Sequence, residues 1–169
     1  MNPSDWHTNS LTGCEDCSIL QMDIVKYSSI SSTLPVTELI DLLNALFSSI
    51  DFAAETIGKI WKVETIGDCY IAVAGGPQPC RDHADRAVLL GCSIVKIAKS
   101  ISKAVGIQLE VRIGIHSGDV MAAVLGSYLP RFLVFGSNFQ IASKLEEKGV
   151  ASHVHLSSST ADLLRQEWN

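Results

Sequence analysis

Two acidic residues stand where apolar runs end, and together they could hold a hard cation. Asp23 closes the run Ser18-Ile19-Leu20-Gln21-Met22 and is followed by Ile24-Val25. Asp68 belongs to a Gly67-Asp68 pair set between Lys62-Val63-Glu64-Thr65-Ile66 and Cys69-Tyr70-Ile71-Ala72-Val73. A Gly-Asp pair between β-type runs predicts a tight hairpin, because glycine accepts the positive φ that such turns require. Asp68 is then at the hairpin tip. Two carboxylates at the ends of neighbouring strands make an oxygen site suited to Mg²⁺, which takes one or two carboxylates plus substrate phosphates. The chemistry in prospect is metal-assisted work on a nucleotide.

The surrounding elements must position those acids. Val36, Leu39, Ile40, Leu43, Leu46, Phe47, Ile50 and Ala54 follow the helical period, predicting a helix over 35–58 opened by Pro35 or Thr37 and stopped by Gly58. Before it, 26–33 is hydroxyl-rich and predicts a loop. Its N–H and O–H groups, with Tyr27 and Ser28 as candidates, could meet phosphate or simply cap the next helix. The hairpin spans 59–74 and is closed by Gly75-Gly76-Pro77-Gln78-Pro79. A second helix covers 81–104, and Arg81, Asp82, His83, Asp85 and Arg86 read as its solvated end. Residues 109–116 alternate with period two, and Ser117-Gly118-Asp119 predicts a turn into a strand over 120–126, a second hairpin. A strand at 132–135, a helix at 139–148, a strand at 153–156 and a helix capped by Ser157-Ser158-Ser159-Thr160 complete the chain. His153 and His155 share a strand face without a third ligand, which reads as an edge rather than a metal site. The order β-α-β-β-α-β predicts an α+β fold, an antiparallel-rich sheet with helices packed on one face in the ferredoxin-like manner.

Bulk properties narrow the classes. With 169 residues, 47% of them hydrophobic and 18% charged, the chain is a globular domain rather than a disordered one. No apolar run approaches the roughly 20 residues that cross a bilayer, and residues 1–13 lack the apolar core of a signal peptide. A net charge of -5 argues against nucleic acid as a partner. Five irregularly spaced cysteines predict reduced thiols and a cytoplasmic setting, either as a free domain or as the cytosolic part of a larger, membrane-bound protein. Cys14-x-x-Cys17 lacks a second pair and reads as part of an amino-terminal tail.

Five ordered stretches carry a resemblance: Met22-Asp23-Ile24-Val25, Val63-Glu64-Thr65-Ile66-Gly67-Asp68-Cys69-Tyr70, Arg112-Ile113-Gly114-Ile115-His116-Ser117-Gly118, Pro130-Arg131-Phe132-Leu133-Val134-Phe135-Gly136 and His155-Leu156-Ser157-Ser158-Ser159-Thr160. Together they resemble the catalytic domain of class III nucleotidyl cyclases, with guanylate cyclases nearest. The resemblance implies a tail over 1–16 and a catalytic domain over 17–169 that stops before the family's last strands. It also implies a head-to-tail dimer with sites shared between two chains, either a homodimer or a heterodimer with another cyclase domain. Asp23, Asp68 and the carbonyl of Ile24 match the family's ligands for two Mg²⁺ or Mn²⁺ ions, and Arg112 matches a phosphate-binding arginine. Such ions would activate the ribose 3′-hydroxyl and neutralise a pyrophosphate leaving group.

Glu64 occupies the position that carries Glu where the family reads guanine and Lys where it reads adenine. A carboxylate can accept from guanine N1–H and N2–H₂ and repels adenine N1, so conversion of GTP to cyclic GMP is expected ahead of ATP to cyclic AMP. The chain departs from the family pattern at three positions. Leu133 stands for the second base-reading residue, Gln140 for the asparagine that orients ribose, and Lys144 for the arginine that stabilises transferring phosphate. Lysine keeps the charge but loses the bidentate fork. These departures fit a metal-donating or regulatory half of a heterodimer, or a homodimer of lower turnover.

Overall fold

The computed structural model describes residues 11–125 and 131–165; the tail residues 1–10 and the motif residue Pro130 lie outside them. The elements are β1 (Leu11–Ile24), α1 (Tyr27–Thr33), α2 (Val36–Ile57), β2 (Ile60–Ile66), β3 (Cys69–Ala74), α3 (His83–Val105), β4 (Val111–Leu125), β5 (Arg131–Phe135), α4 (Ser137–Glu147), β6 (His153–Leu156) and α5 (Ser158–Ala161). The fold is α+β, as the element order predicts. Its sheet has strand order β2-β3-β1-β4-β5, with β6 added parallel to β4.

Each amphipathic stripe finds the layer that its period demands. Leu42, Leu46, Ile50 and Ala54 of α2, together with Ala87, Leu90, Ile94 and Ala98 of α3, cover Leu20, Met22, Tyr70, Ala72, Ile113 and Ile115 of the sheet. The other face is not bare. Ala142 and Phe139 of α4 pack there on Cys17, Ile19, Val73, Val120 and Val134. The helices therefore sit on both faces, which corrects the one-face expectation. Gly114 permits this: a Cβ there would overlap the Glu146 backbone N and the Ala142 backbone O. Although β2 and β5 end the strand order at opposite edges, they touch each other, so the sheet curls around this second cluster.

Four further expectations change. The predicted turn at Ser117-Gly118-Asp119 is the middle of one continuous strand, β4. Ser117 is held there by a buried hydroxyl network with Ser18 (2.6 Å) and Thr160 (3.0 Å), and Gly118 lies against Asn138 with no positive φ to bend the chain. The irregularity falls on the partner strand, where β1 has a bulge between Cys14 and Cys17. β1 begins at Leu11, inside the segment read as tail, because Leu11 to Cys14 pair with Ala123 to Val120. The expected loop over 26–33 is the short helix α1. Finally, His83 and Asp85 at the start of α3 are buried rather than solvated; His83 Nδ1 bonds Ser18 Oγ at 2.8 Å, and Asp85 accepts the Arg165 backbone N–H.

Candidate active site

Strand register brings the acids together. β1 pairs with β4 so that Asp23 lies opposite Arg112, whose Nη2 donates to Asp23 Oδ2 at 3.0 Å. The same guanidinium donates through Nε to Glu146 Oε1 at 3.0 Å. β1 also pairs with β3, Met22 opposite Tyr70, which carries the β2–β3 turn alongside the end of β1. That turn is the two-residue Gly67-Asp68 link between the paired Ile66 and Cys69, with Gly67 at φ 62. Positive φ at the first central position only is the geometry that glycine supplies to a tight hairpin.

The carboxyls of Asp23 and Asp68 hydrogen-bond each other. Partial burial, then this bond and the charge of Asp23, push Asp68 up to about 6; the backbone N–H groups of Asp68 and Ile24 pull the other way. Two ionised carboxylates so close repel, and a divalent cation would relieve that repulsion in place of the shared proton. The donor set thus fits a hard cation held by two carboxylates. Among the described residues no group of three or more His, Cys, Asp and Glu is gathered as a metal site.

A bulge aims Glu64. Lys62 pairs with Ala72 but Glu64 with Ile71, two residues of β2 against one of β3. Lys62 lies on the α2 side, where it reaches Asp51 Oδ2 at 2.7 Å and sits over the Tyr70 ring. Glu64 shares instead the face of Ile71 and its partner Gln21, the face on which Gln21 Nε2 donates to the Phe139 carbonyl of α4. Asp23 is on that face too, two residues along from Gln21. Leu133, half-buried on β5, belongs to the strand that curls against β2.

The remaining candidates divide. Ser28 is exposed at the start of α1, whereas Tyr27 is half-buried and packs on the core. The hydroxyls of Ser31, Ser32 and Thr33 donate to carbonyls of their own helix and are spent there. Gln140 and Lys144 are exposed on the stripe of α4 roughly opposite Ala142 and Glu146, which face the sheet. The structure therefore does not bring these two to the acid pair of the same chain. His153 and His155 each bond a backbone carbonyl, of Ala151 and Leu145, as edge residues do. Glu146 was not among the sequence candidates. Its signal was a carboxylate on the apolar stripe of α4, a position that burial makes costly without a cation to meet it. Burial raises its pKa, and Arg112 opposes that rise.

The family model of the adenylate and guanylate cyclase catalytic domain matches residues 10–169. This chain belongs to that family. The cyclase domain is 34% identical over 154 residues to the rat (Rattus norvegicus) guanylate cyclase soluble subunit beta-2, covering 90% of this chain and 22% of the subunit. It is 37% identical over 149 residues to adenylyl cyclase X E of Drosophila melanogaster, covering 88% of this chain and 13% of that protein. It spans less than a quarter of either relative. The guanylate cyclase domain of RhGC from Catenaria anguillulae, crystallised in complex with GTP, superposes with a TM-score of 0.86 at 36% identity, over 91% of this chain and 84% of that one. Relatives of both base preferences stand at similar identity, so the choice of base rests on individual residues.

Proposed function

We propose that this nucleotidyl cyclase domain converts GTP, in preference to ATP, to the 3′,5′-cyclic nucleotide and pyrophosphate in a metal-dependent reaction. The observation that carries the reading is the hydrogen-bonded Asp23–Asp68 pair with Arg112 beside it. Those two carboxylates, with the Ile24 carbonyl, would hold Mg²⁺ or Mn²⁺, two ions per site. Bound there, the ions supply Lewis-acid activation of the ribose 3′-hydroxyl and neutralise charge on the phosphates. In the reaction the 3′-oxygen loses its proton and bonds the α-phosphorus in line, and the bond from that phosphorus to the pyrophosphate oxygen breaks.

The chain's own groups do the rest. Arg112, anchored by Glu146 through Nε, would offer its remaining N–H groups to phosphate oxygens. Ser28 and the first N–H groups of α1, which no side chain caps, add donors near the phosphates, with Tyr27 fixing the helix to the core. Glu64 accepts from the guanine edge, and Leu133 packs against the base without a polar contact. Gln140 holds the ribose and Lys144 the transferring phosphate. Because α4 turns both of these away from the acid pair below it, they serve a site completed by another cyclase domain. That division supports a dimer.

One observation favours a second reading, a metal-donating half of a heterodimer. The acid pair and Arg112 match the family, while Gln140 and Lys144, which would act in the other site, do not. Purified domain incubated with Mn²⁺ and each nucleotide, alone and with a complementary cyclase domain, tests both readings by chromatography of the products. Cyclic GMP from the domain alone supports the homodimer, and product only in the mixture supports the heterodimer. Absence of product in both refutes the enzymatic reading.

A further inference from the structure

At the other end of β1, roughly 20 Å (Cys17) to 27 Å (Cys14) along the strand from Asp23, two thiols meet across a strand irregularity. In a regular strand, residues three apart point to opposite faces. Here Cys14 pairs with Val120 and Cys17 with Gly118, so three steps on β1 match two on β4. The extra residue, with Asp16 at φ 49, restores parity and puts both side chains on one face, in the cluster with Val73 and Val120. Two steps of β4 also limit the separation of the two backbones to about 7 Å, the upper edge of what a disulfide spans. The Cys17 thiol also reaches back toward Cys14, its Sγ lying 3.8 Å from the Cys14 carbonyl oxygen.

Their environments differ as those of an attacking and a resolving thiol should. Cys14 lines a cavity of about 670 Å³ together with Arg81, His83 and Arg165. Cys17 is fully buried, and its Sγ–H points at the Gly118 carbonyl at 3.3 Å. We propose that Cys14 and Cys17 form a redox-active dithiol, in which hydrogen peroxide entering the cavity oxidises Cys14 and Cys17 resolves the product to an intrachain disulfide. The neighbouring Cys17 thiol holds Cys14 down to about 7 against the rise that burial causes, while Cys14, then burial and the charges of Asp119 and Asp16, push Cys17 up.

The steps balance. The Cys14 thiolate attacks one peroxide oxygen, the O–O bond breaks, S–OH forms, and the departing oxygen leaves as water after taking a proton. The Cys17 sulfur then displaces that hydroxyl from Cys14, the S–S bond forms, and a second water carries off the Cys17 proton. Two thiols are oxidised and one peroxide is reduced to two waters. A dithiol reductant exchanges with this disulfide and restores both thiols.

The test treats the full chain with hydrogen peroxide at neutral pH, alkylates without reductant and maps peptides by mass. Expected is one peptide holding Cys14 and Cys17, unalkylated and two hydrogens lighter, restored by a dithiol reductant, with Cys69, Cys80 and Cys92 alkylated. In Cys17→Ala, dimedone should trap Cys14 as its sulfenic acid. Should that variant fail to fold, the unaltered chain still decides: Cys14 alkylation should rise about tenfold per pH unit and level off near 7. A bridge from Cys14 to Cys80, a bridge between two chains, an unoxidised Cys14, or an alkylation rate still rising at pH 9 overturns the proposal.

Discussion

A carboxylic acid half out of water and bonded to a second carboxylate holds its proton to higher pH than usual, and Asp68 does so up to about 6. Because its folded pKa is raised, it contributes stability that is fully present below the ordinary carboxylate value and lost as pH rises through about 6. Thermal midpoints in EDTA should therefore fall across that window relative to Asp68→Asn, and Mg²⁺ should restore them at the upper end. Asp23→Ala or Asp68→Ala should lower kcat by roughly a hundredfold or more, since several kcal/mol of charge stabilisation leaves with the ion. Full activity in either variant refutes the metal assignment. Glu146→Gln loosens Arg112, and the expected loss is roughly tenfold in kcat/KM, mostly in KM for the triphosphate. Unchanged kinetics would show that Arg112 needs no such anchor.

Among the elements, the seat of α4 on β4 is the contact that positions this chemistry. Gly114→Ala would drive a Cβ into the backbone of α4, and a loss of roughly 1–3 kcal/mol is expected by denaturant titration. No change there would mean that α4 shifts freely. The helices over 36–57 and 83–105 and the Gly67-Asp68 hairpin were legible because period and turn chemistry are local. Ser117-Gly118-Asp119 misled because a turn-like tripeptide was overruled by tertiary partners, Ser18 and Thr160 for its hydroxyl and Asn138 against its glycine. The bulges that aim Glu64 and pair Cys14 with Cys17 depend on the partner strand, which no local pattern reveals. The acids Asp23 and Asp68 were found from their place at run ends, but Glu146 was not, because its partner Arg112 is 34 residues away.

At the scale of the whole molecule, one chain holds the acid pair under α4 while presenting Gln140 and Lys144 on the outer stripe of that helix. In a head-to-tail homodimer, each site would take its acids from one chain and these two residues from the other. Mixing Asp68→Ala with Lys144→Ala chains should then regain about a quarter of unaltered activity, because half the dimers are mixed and each has one intact site. No recovery would place both groups in one chain's site, or the working site in a heterodimer. Glu64→Lys should turn preference toward ATP where Glu64 reads the base, as competition between the two nucleotides would show. The reading rests first on cation capture by the two aspartates. Mn²⁺ binding followed by electron paramagnetic resonance, with a non-cyclisable GTP analogue present, measures it directly. Tight binding that disappears in both Asp23→Ala and Asp68→Ala is the predicted result, and binding of undiminished affinity in either variant would contradict it.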